Sequence, residues 1–187
     1  DAGTQMPTFA ETLYRRYKQG HGLDAPLEKD HYQGEYMIDL ARQIQSEHGD
    51  RFLQISDAEA VSALSTIGRQ SVMTWIRASV ERLGIRFDYW FSEKSLYEDG
   101  TFDQVIAALR TAGETVERDG AEWLLTSKYG SDRDEVLIRS SGQPGYYASD
   151  VAYHYNKFVM RGFDRVIDVW AVDHQNQARR MPFLMKA

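Results

Sequence analysis

The chain has 187 residues, 42% of them hydrophobic and 27% charged, with a formal net charge of -6. That composition fits an ordinary globular protein and excludes long disorder and collagen-like repeats. No apolar run approaches the roughly 18 to 20 residues needed to cross a bilayer, and the first residues lack a charged-then-apolar signal pattern, so no membrane association is expected. The acidic balance argues against a nucleic-acid binder held by phosphate contacts, and basic groups such as Arg15, Arg16 and Lys18, or Arg179 and Arg180, read first as solvated helix faces. With no cysteine there is neither a disulfide framework nor a thiolate zinc site, which makes a reducing cytoplasm the default location.

In chain order, Thr8 and Glu11 have capping-box spacing, and Phe9, Leu13, Tyr14 and Tyr17 recur at helical intervals up to Gly20-His21-Gly22. After a polar loop over 23–33, Tyr36, Met37, Leu40, Ala41 and Ile44 form one face of a second helix closed by Gly49. Ser56 and Glu59 repeat the capping box, and Val61, Leu64, Ile67, Val72, Ile76, Val80 and Leu83 mark a long helix ending at Gly84. A bend is expected near Gly68, where glycine costs about 1 kcal/mol against alanine. The aromatic, β-prone run Ile85 to Phe91 reads as a strand, followed by a short helix capped by Thr101 and Gln104 and ended by Gly113. Asp119-Gly120, between Thr115–Arg118 and Glu122–Thr126, tolerates the positive φ of a tight hairpin.

The last third carries the chemistry. Glu135 to Ser140 reads as a short strand, Ser141 to Gly145 as a turn, Ser149 as the N-cap of a helix through Met160, and Arg165 to Val172 as a strand covered on both faces. A helix between two such strands implies a right-handed parallel crossover, so the expected fold class is α/β, a Rossmann-type nucleotide-binding fold with a helical insertion. One partial catalytic domain is expected over 1–187, with 20–84 as the insertion and 85–187 as the α/β portion.

Ligands of such sheets bind beyond the carboxyl ends of the strands. After the first expected strand come Tyr146, Tyr147 and Asp150; after the second come Asp173 and His174. Asp150 can simply favour the helix dipole, worth about 0.3–1 kcal/mol. Paired with Tyr146 one turn earlier, it also makes an aromatic wall and an anion suited to a planar cationic head. Asp173 is either an N-cap or a ribose contact, and His174 a polar contact to substrate. His154 reads as a helix-surface partner of Asp150 at i,i+4, and no second histidine stands at ligand spacing from His174, so no bound metal is expected. There is no glycine-rich phosphate loop and no nucleophile elbow, which removes covalent catalysis.

Several ordered motifs carry a resemblance to a known family. Gly145-Tyr-Tyr-Ala-Ser-Asp-Val-Ala-Tyr-His154, Lys157-Phe158 and Arg161-Gly-Phe-Asp-Arg-Val-Ile-Asp-Val-Trp170 strongly resemble bacterial arginyl-tRNA synthetase. So do Asp1-Ala-Gly-Thr-Gln5, Tyr32-Gln-Gly-Glu-Tyr36, Phe87-Asp-Tyr-Trp-Phe-Ser-Glu93, Ser95-Leu-Tyr97 and Asp119-Gly-Ala-Glu-Trp123.

The resemblance implies a class I ligase in which ATP, with Mg2+, and arginine form arginyl-adenylate, and arginine then passes to its tRNA. It implies that Asp150 binds the guanidinium beside Tyr146, that His174 contacts the amino acid, that Asp173 and Ala171 lie on the nucleotide side, and that Asp1, Gly3 and Gln5 line the pocket. The family's His-X-Gly-His and Lys-Met-Ser-Lys-like signatures are not in the chain, which opens on Asp1 and stops at Ala187 within an apparent helix. Both ends are therefore expected to be cut, leaving a fragment inactive by itself, of a protein monomeric at full length, with tRNA(Arg) contacts mainly outside the chain.

Where the family commonly reads Trp-Gly-Ala-Asp-His-His-Gly-Tyr, this chain has Trp170-Ala-Val-Asp-His-Gln-Asn-Gln177, and Pro182 sits deep in the helix that follows. Those departures keep two alternatives open, a non-catalytic arginine- or nucleotide-binding module and a divergent paralogue. A class I synthetase for another amino acid is a third.

Overall fold

The structure, a computed structural model, describes Gly3 and residues 5–187. The chain divides into two compact units, Asp1–Phe91 and Ser92–Ala187.

The first unit is helical: α1 (Gln5–Gly20), α2 (Tyr36–His48) and α3 (Asp57–Arg82). Their apolar stripes meet in a core of Phe9, Leu13, Tyr14 and Tyr17 from α1, Met37, Leu40 and Ile44 from α2, and Ala60 and Leu64 from α3. Polar tips within this core are satisfied: Tyr17 Oη donates to the Gly49 carbonyl, and Tyr14 Oη donates to Asp57 at 2.8 Å. The Ser56–Glu59 capping box forms in full at the start of α3.

Two expectations change in this unit, and Gly68 gains a packing role. Thr8 is not a cap, because α1 begins at Gln5 and places Thr8 inside it, where its carbonyl accepts from Thr12 Oγ1 at 2.6 Å. α3 runs through Gly68 as a single helix. The glycine is there for packing, since a Cβ would stand 2.5 Å from Leu13 Cδ2 and 3.0 Å from Phe9 Cε1. Ile85 to Phe91 forms no strand; no described strand flanks it, and its rings pack on one another instead, Phe87 on Trp90 at 5.0 Å and Tyr89 on Phe91 at 6.2 Å.

The second unit runs α4 (Ser95–Glu98), α5 (Thr101–Thr111), β1 (Thr115–Arg118), β2 (Ala121–Leu124), β3 (Glu135–Ile138), α6 (Ala148–Tyr155) and α7 (Gln175–Leu184). The strands make one antiparallel sheet in the order β1-β2-β3. Asp119 (φ 53°) and Gly120 (φ 72°) form the two-residue turn that the dipeptide led us to expect. Arg110 of α5 grips Glu122 of β2 through two bonds, 2.8 and 2.6 Å. Leu96, Phe102, Val105, Ile106, Leu124, Leu137, Val151 and Leu184 are among the buried residues of this unit.

Gly145 then has a steric role. Its N–H donates to Leu137 O at 2.7 Å, and a Cβ there would fall 1.8 Å from Val136 O. Only glycine lets the chain pass this close to β3 before entering α6.

The caps differ from expectation here as well. Thr101 is the first residue of α5 rather than its cap, and its N–H is taken by the Asp99 carboxylate at 2.9 Å. Likewise α6 starts one residue before Ser149, with Tyr147 at the cap position, and it passes into a π-helical turn over Asn156–Met160 before Gly162.

The expected parallel crossover is not formed. β3 pairs antiparallel with β2, Arg165 to Ala171 is irregular, and Val172 opens a 3-10 turn. Its apolar side chains lie open: Ile167 is 71% exposed, Val169 90% and Val172 77%. The apolar run that suggested a strand covered on both faces is present, but a buried parallel strand needs hydrogen-bonded neighbours, and none of the described strands borders this run. The observed architecture is therefore helical with a small three-stranded antiparallel sheet.

Candidate functional site

The loop after β3 and the start of α7 enclose a cavity of about 420 Å³. Tyr146 and Tyr147 come from the loop, Asp173 and His174 from the 3-10 turn preceding α7, and Asn176, Gln177 and Arg180 from α7, with Arg133 across from them. Tyr146 is 67% exposed and stacks edge-on against buried Tyr147, ring centroids 4.9 Å apart, so one ring anchors the other at the rim. His174 Nδ1 stands 2.9 Å from Asp173 Oδ1.

Asp150 lies one turn into α6 from Tyr147 and is part-buried. Its Oδ2 accepts from Gln177 Nε2 at 2.6 Å, so it meets the cavity wall through that amide. Burial raises its pKa above the usual carboxylate value, and nearby Glu93 adds to the rise. The Gln177 bond and the charges of His154 and Lys157 oppose it.

The structure thus gathers Tyr146, Asp173 and His174 around one cavity, with Asp150 joined to it by Gln177. Ala171 is exposed and its carbonyl accepts from His174 N at 3.0 Å. Gly3 and Gln5 are exposed residues of the other unit, and Asp1 lies outside the described residues.

Sequence reasoning missed four participants. Arg133 and Arg180 both reach Glu135 Oε1, at 3.4 and 2.7 Å, and Arg180 also holds Asp132 at 2.9 Å. Arg180 meets Asp132 across 48 residues, too far apart to be read as a motif, and Arg133, only two residues before Glu135, carries no local signal of its own. Gln177 stood out only as a departure from the family pattern.

The fourth is His154, which is not a surface partner of the Asp150 carboxylate. It is 4% exposed; Nδ1 meets the Asp150 carbonyl oxygen at 2.8 Å and Nε2 meets Asp168 Oδ2 at 2.9 Å. Lys157 Nζ holds the other Asp168 oxygen at 2.7 Å. Burial of Asp168 works against its charge, but these two donors prevail and lower its pKa.

Elsewhere, ligand-type atoms of Glu28, Asp30 and His31 lie within 4.8 Å of one another. His31 Nδ1 already accepts the Glu28 N–H at 3.0 Å, and Arg15 pairs with the Glu28 carboxylate at 2.8 Å, so two of the three are engaged in holding the loop.

No protein-family model matches the chain. An arginine–tRNA ligase of Dehalococcoides mccartyi is 42% identical over 187 residues, covering 100% of this chain and 34% of that protein. One from Syntrophotalea carbinolica is 44% identical over 181 residues, covering 97% and 32%. Among solved structures, one described as a putative arginyl-tRNA synthetase from Campylobacter jejuni superimposes with a TM-score of 0.87 at 28% identity, over 100% of this chain and 40% of that one. The chain spans about a third of the length of the curated relatives it matches. By sequence over its full length, and by fold, this chain is a homologue of that third of the arginine–tRNA ligases.

Proposed function

We propose that the chain is the arginine-binding portion of a class I arginine–tRNA ligase, whose full-length form activates L-arginine with ATP and transfers it to tRNA(Arg). The observation that carries this reading is a part-buried carboxylate, Asp150, one helical turn beyond an exposed tyrosine at the rim of a polar cavity. A guanidinium is planar, cationic and rich in donors, and it is the head that such an anion and ring accept together. Its aliphatic stem and α-amino group would extend toward His174, with Asp173 and Ala171 on the nucleotide side.

Membership of a Rossmann-type catalytic core belongs to the same proposal. Its support is the relatives' identity and the TM-score of 0.87, not the antiparallel sheet of the chain itself. The domain reading is likewise that of one partial catalytic domain with 20–84 inserted. ATP is a substrate that brings its own Mg2+, and we assign that ion to no residue described above. Among the described residues no helix is long and apolar enough to cross a membrane, in keeping with a cytoplasmic enzyme. We further take the full-length protein to act as a monomer that contacts tRNA mainly outside this chain.

The test is arginine-dependent ATP–pyrophosphate exchange, with and without tRNA, by the full-length protein and its Asp150→Ala variant. Exchange that the variant abolishes supports the reading. Arginine binding with no exchange in the full-length protein would identify a binding module, which the substitutions at Ala171 and Gln175 to Gln177 make the second reading. Exchange with a different amino acid would identify another specificity.

A further inference from the structure

Gln177 is bonded to the one carboxylate that the proposed function singles out. Its Nε2 stands 2.6 Å from Asp150 Oδ2, and the same side chain forms part of the cavity wall. An amide differs from a cation in this place. Lysine or arginine would satisfy the carboxylate and cancel its charge, whereas a carboxamide donates one hydrogen bond and leaves the negative charge in place. The carboxylate can then be fixed in orientation while still attracting a cationic ligand with its second oxygen.

We infer that Gln177 is a specificity-determining positioning residue of this site: it holds Oδ2 of Asp150 and leaves Oδ1 to receive the guanidinium. The inference rests on the reading of Asp150 as the arginine carboxylate. It goes beyond that reading by dividing the two oxygens between protein and ligand. Arginine is then held by a single-oxygen contact together with the Tyr146 ring, and not by a two-pronged grip on both oxygens. The groups that face Asp150 are Glu93, Tyr97 of α4, and His154 and Lys157 of the α6 end. Of these neighbours His154 and Lys157 favour its charged form and Glu93 opposes it, and the side chains of His154 and Lys157 are already bonded to Asp168, leaving Gln177 as the side-chain donor to the Asp150 carboxylate.

The experiment is a carbon-13 titration of the Asp150 carboxyl in the full-length protein, for the parent and for Gln177→Met and Gln177→Lys, together with calorimetric arginine binding. Methionine keeps the length of glutamine and loses the donor; lysine keeps a donor and adds charge. The Asp150 midpoint should rise in Gln177→Met and fall in Gln177→Lys. A purely structural role for residue 177 would not produce opposite shifts.

Arginine binding should weaken in both, by about tenfold for methionine, the size of one hydrogen bond to a charged group, and beyond detection for lysine. Unmoved midpoints, or tighter arginine binding by Gln177→Met, would overturn the inference, the latter because it would make Gln177 a competitor of the ligand. If the midpoints move as stated while Asp150→Ala leaves arginine binding unchanged, the positioning role stands and the arginine reading falls.

Discussion

His154 Nε2 lies 2.9 Å from Asp168 Oδ2, and through this bond a residue in the middle of an exposed apolar segment is tied to the interior face of α6. Lys157 completes the arrangement from the following turn at 2.7 Å. Asp168→Asn should therefore cost about 2 kcal/mol, since it weakens two charge-assisted bonds at a part-buried position. Its folded pKa is depressed, so its contribution is fully present above the unfolded carboxylate pKa and lost as pH falls through the folded one. Urea unfolding of parent and variant should differ at pH 7 and begin to converge only as pH falls below about 4, the ordinary carboxylate range.

Gly145→Ala tests the approach of the chain to β3. A methyl group would lie 1.8 Å from Val136 O, and the obstacle is backbone that cannot rotate away. The expected cost is about 3 kcal/mol or more. Faster hydrogen exchange at Gly145 N–H, whose acceptor is Leu137 O, should accompany the fall in melting temperature. An unchanged melting temperature would remove the steric argument.

Gly68→Ala sets two effects against each other. Alanine gains about 1 kcal/mol of helix propensity, while its Cβ meets Leu13 Cδ2 at 2.5 Å and the Phe9 ring edge at 3.0 Å inside the core of the first unit. Overpacking of this kind costs about 1–3 kcal/mol, so net destabilisation is expected. Leu13→Ala should partly rescue it in a double-mutant cycle, because it removes the atom that clashes. A glycine acting only as a helix weak point would give the opposite sign and no coupling.

What the sequence disclosed follows the range of each interaction. Ser56 and Glu59 are three residues apart and Asp119 and Gly120 are adjacent, so the capping box and the hairpin turn were legible from neighbours alone. The stripes of α1 and α2 were legible because one period governs each, whereas that of α3 meets the core at Val61, Leu64, Ile67 and Val72 but leaves Ile76 and Leu83 exposed. The strand expected over Arg165 to Val172 failed because a strand is completed by its neighbours, and the local pattern of apolar residues says nothing of where those come from. Thr8 failed as a cap for a nearer reason: the same spacing occurs inside a helix that starts earlier. Tyr146, Asp150, Asp173 and His174 were singled out from expected strand ends and from the family resemblance together, and the structure places Tyr146, Asp173 and His174 around one cavity although the second of those strands does not form. Gln177, Arg180 and the His154–Asp168 pair are contacts across 14 to 48 residues and needed coordinates.

Asp150 sets binding against stability in a way that can be measured. Burial raises its pKa, which means that the ionised form present at neutral pH is disfavoured by the folded environment. The sign follows from linkage: a carboxyl whose folded pKa is raised stabilises the fold below its unfolded pKa, and that contribution is lost as pH rises through the folded value. Asp150→Asn keeps the size of the side chain and can still accept from Gln177, yet carries no charge to desolvate. It should therefore raise stability at pH 7 by about 0.5–1 kcal/mol, the scale of a modest polar substitution, with the difference shrinking toward pH 3. The same variant should lose arginine binding, because an amide cannot attract a guanidinium as an anion does. Thermal melts over this pH range and calorimetry at pH 7 decide the matter, and a variant that is less stable at neutral pH would show that the ionised carboxylate supports the fold instead of burdening it.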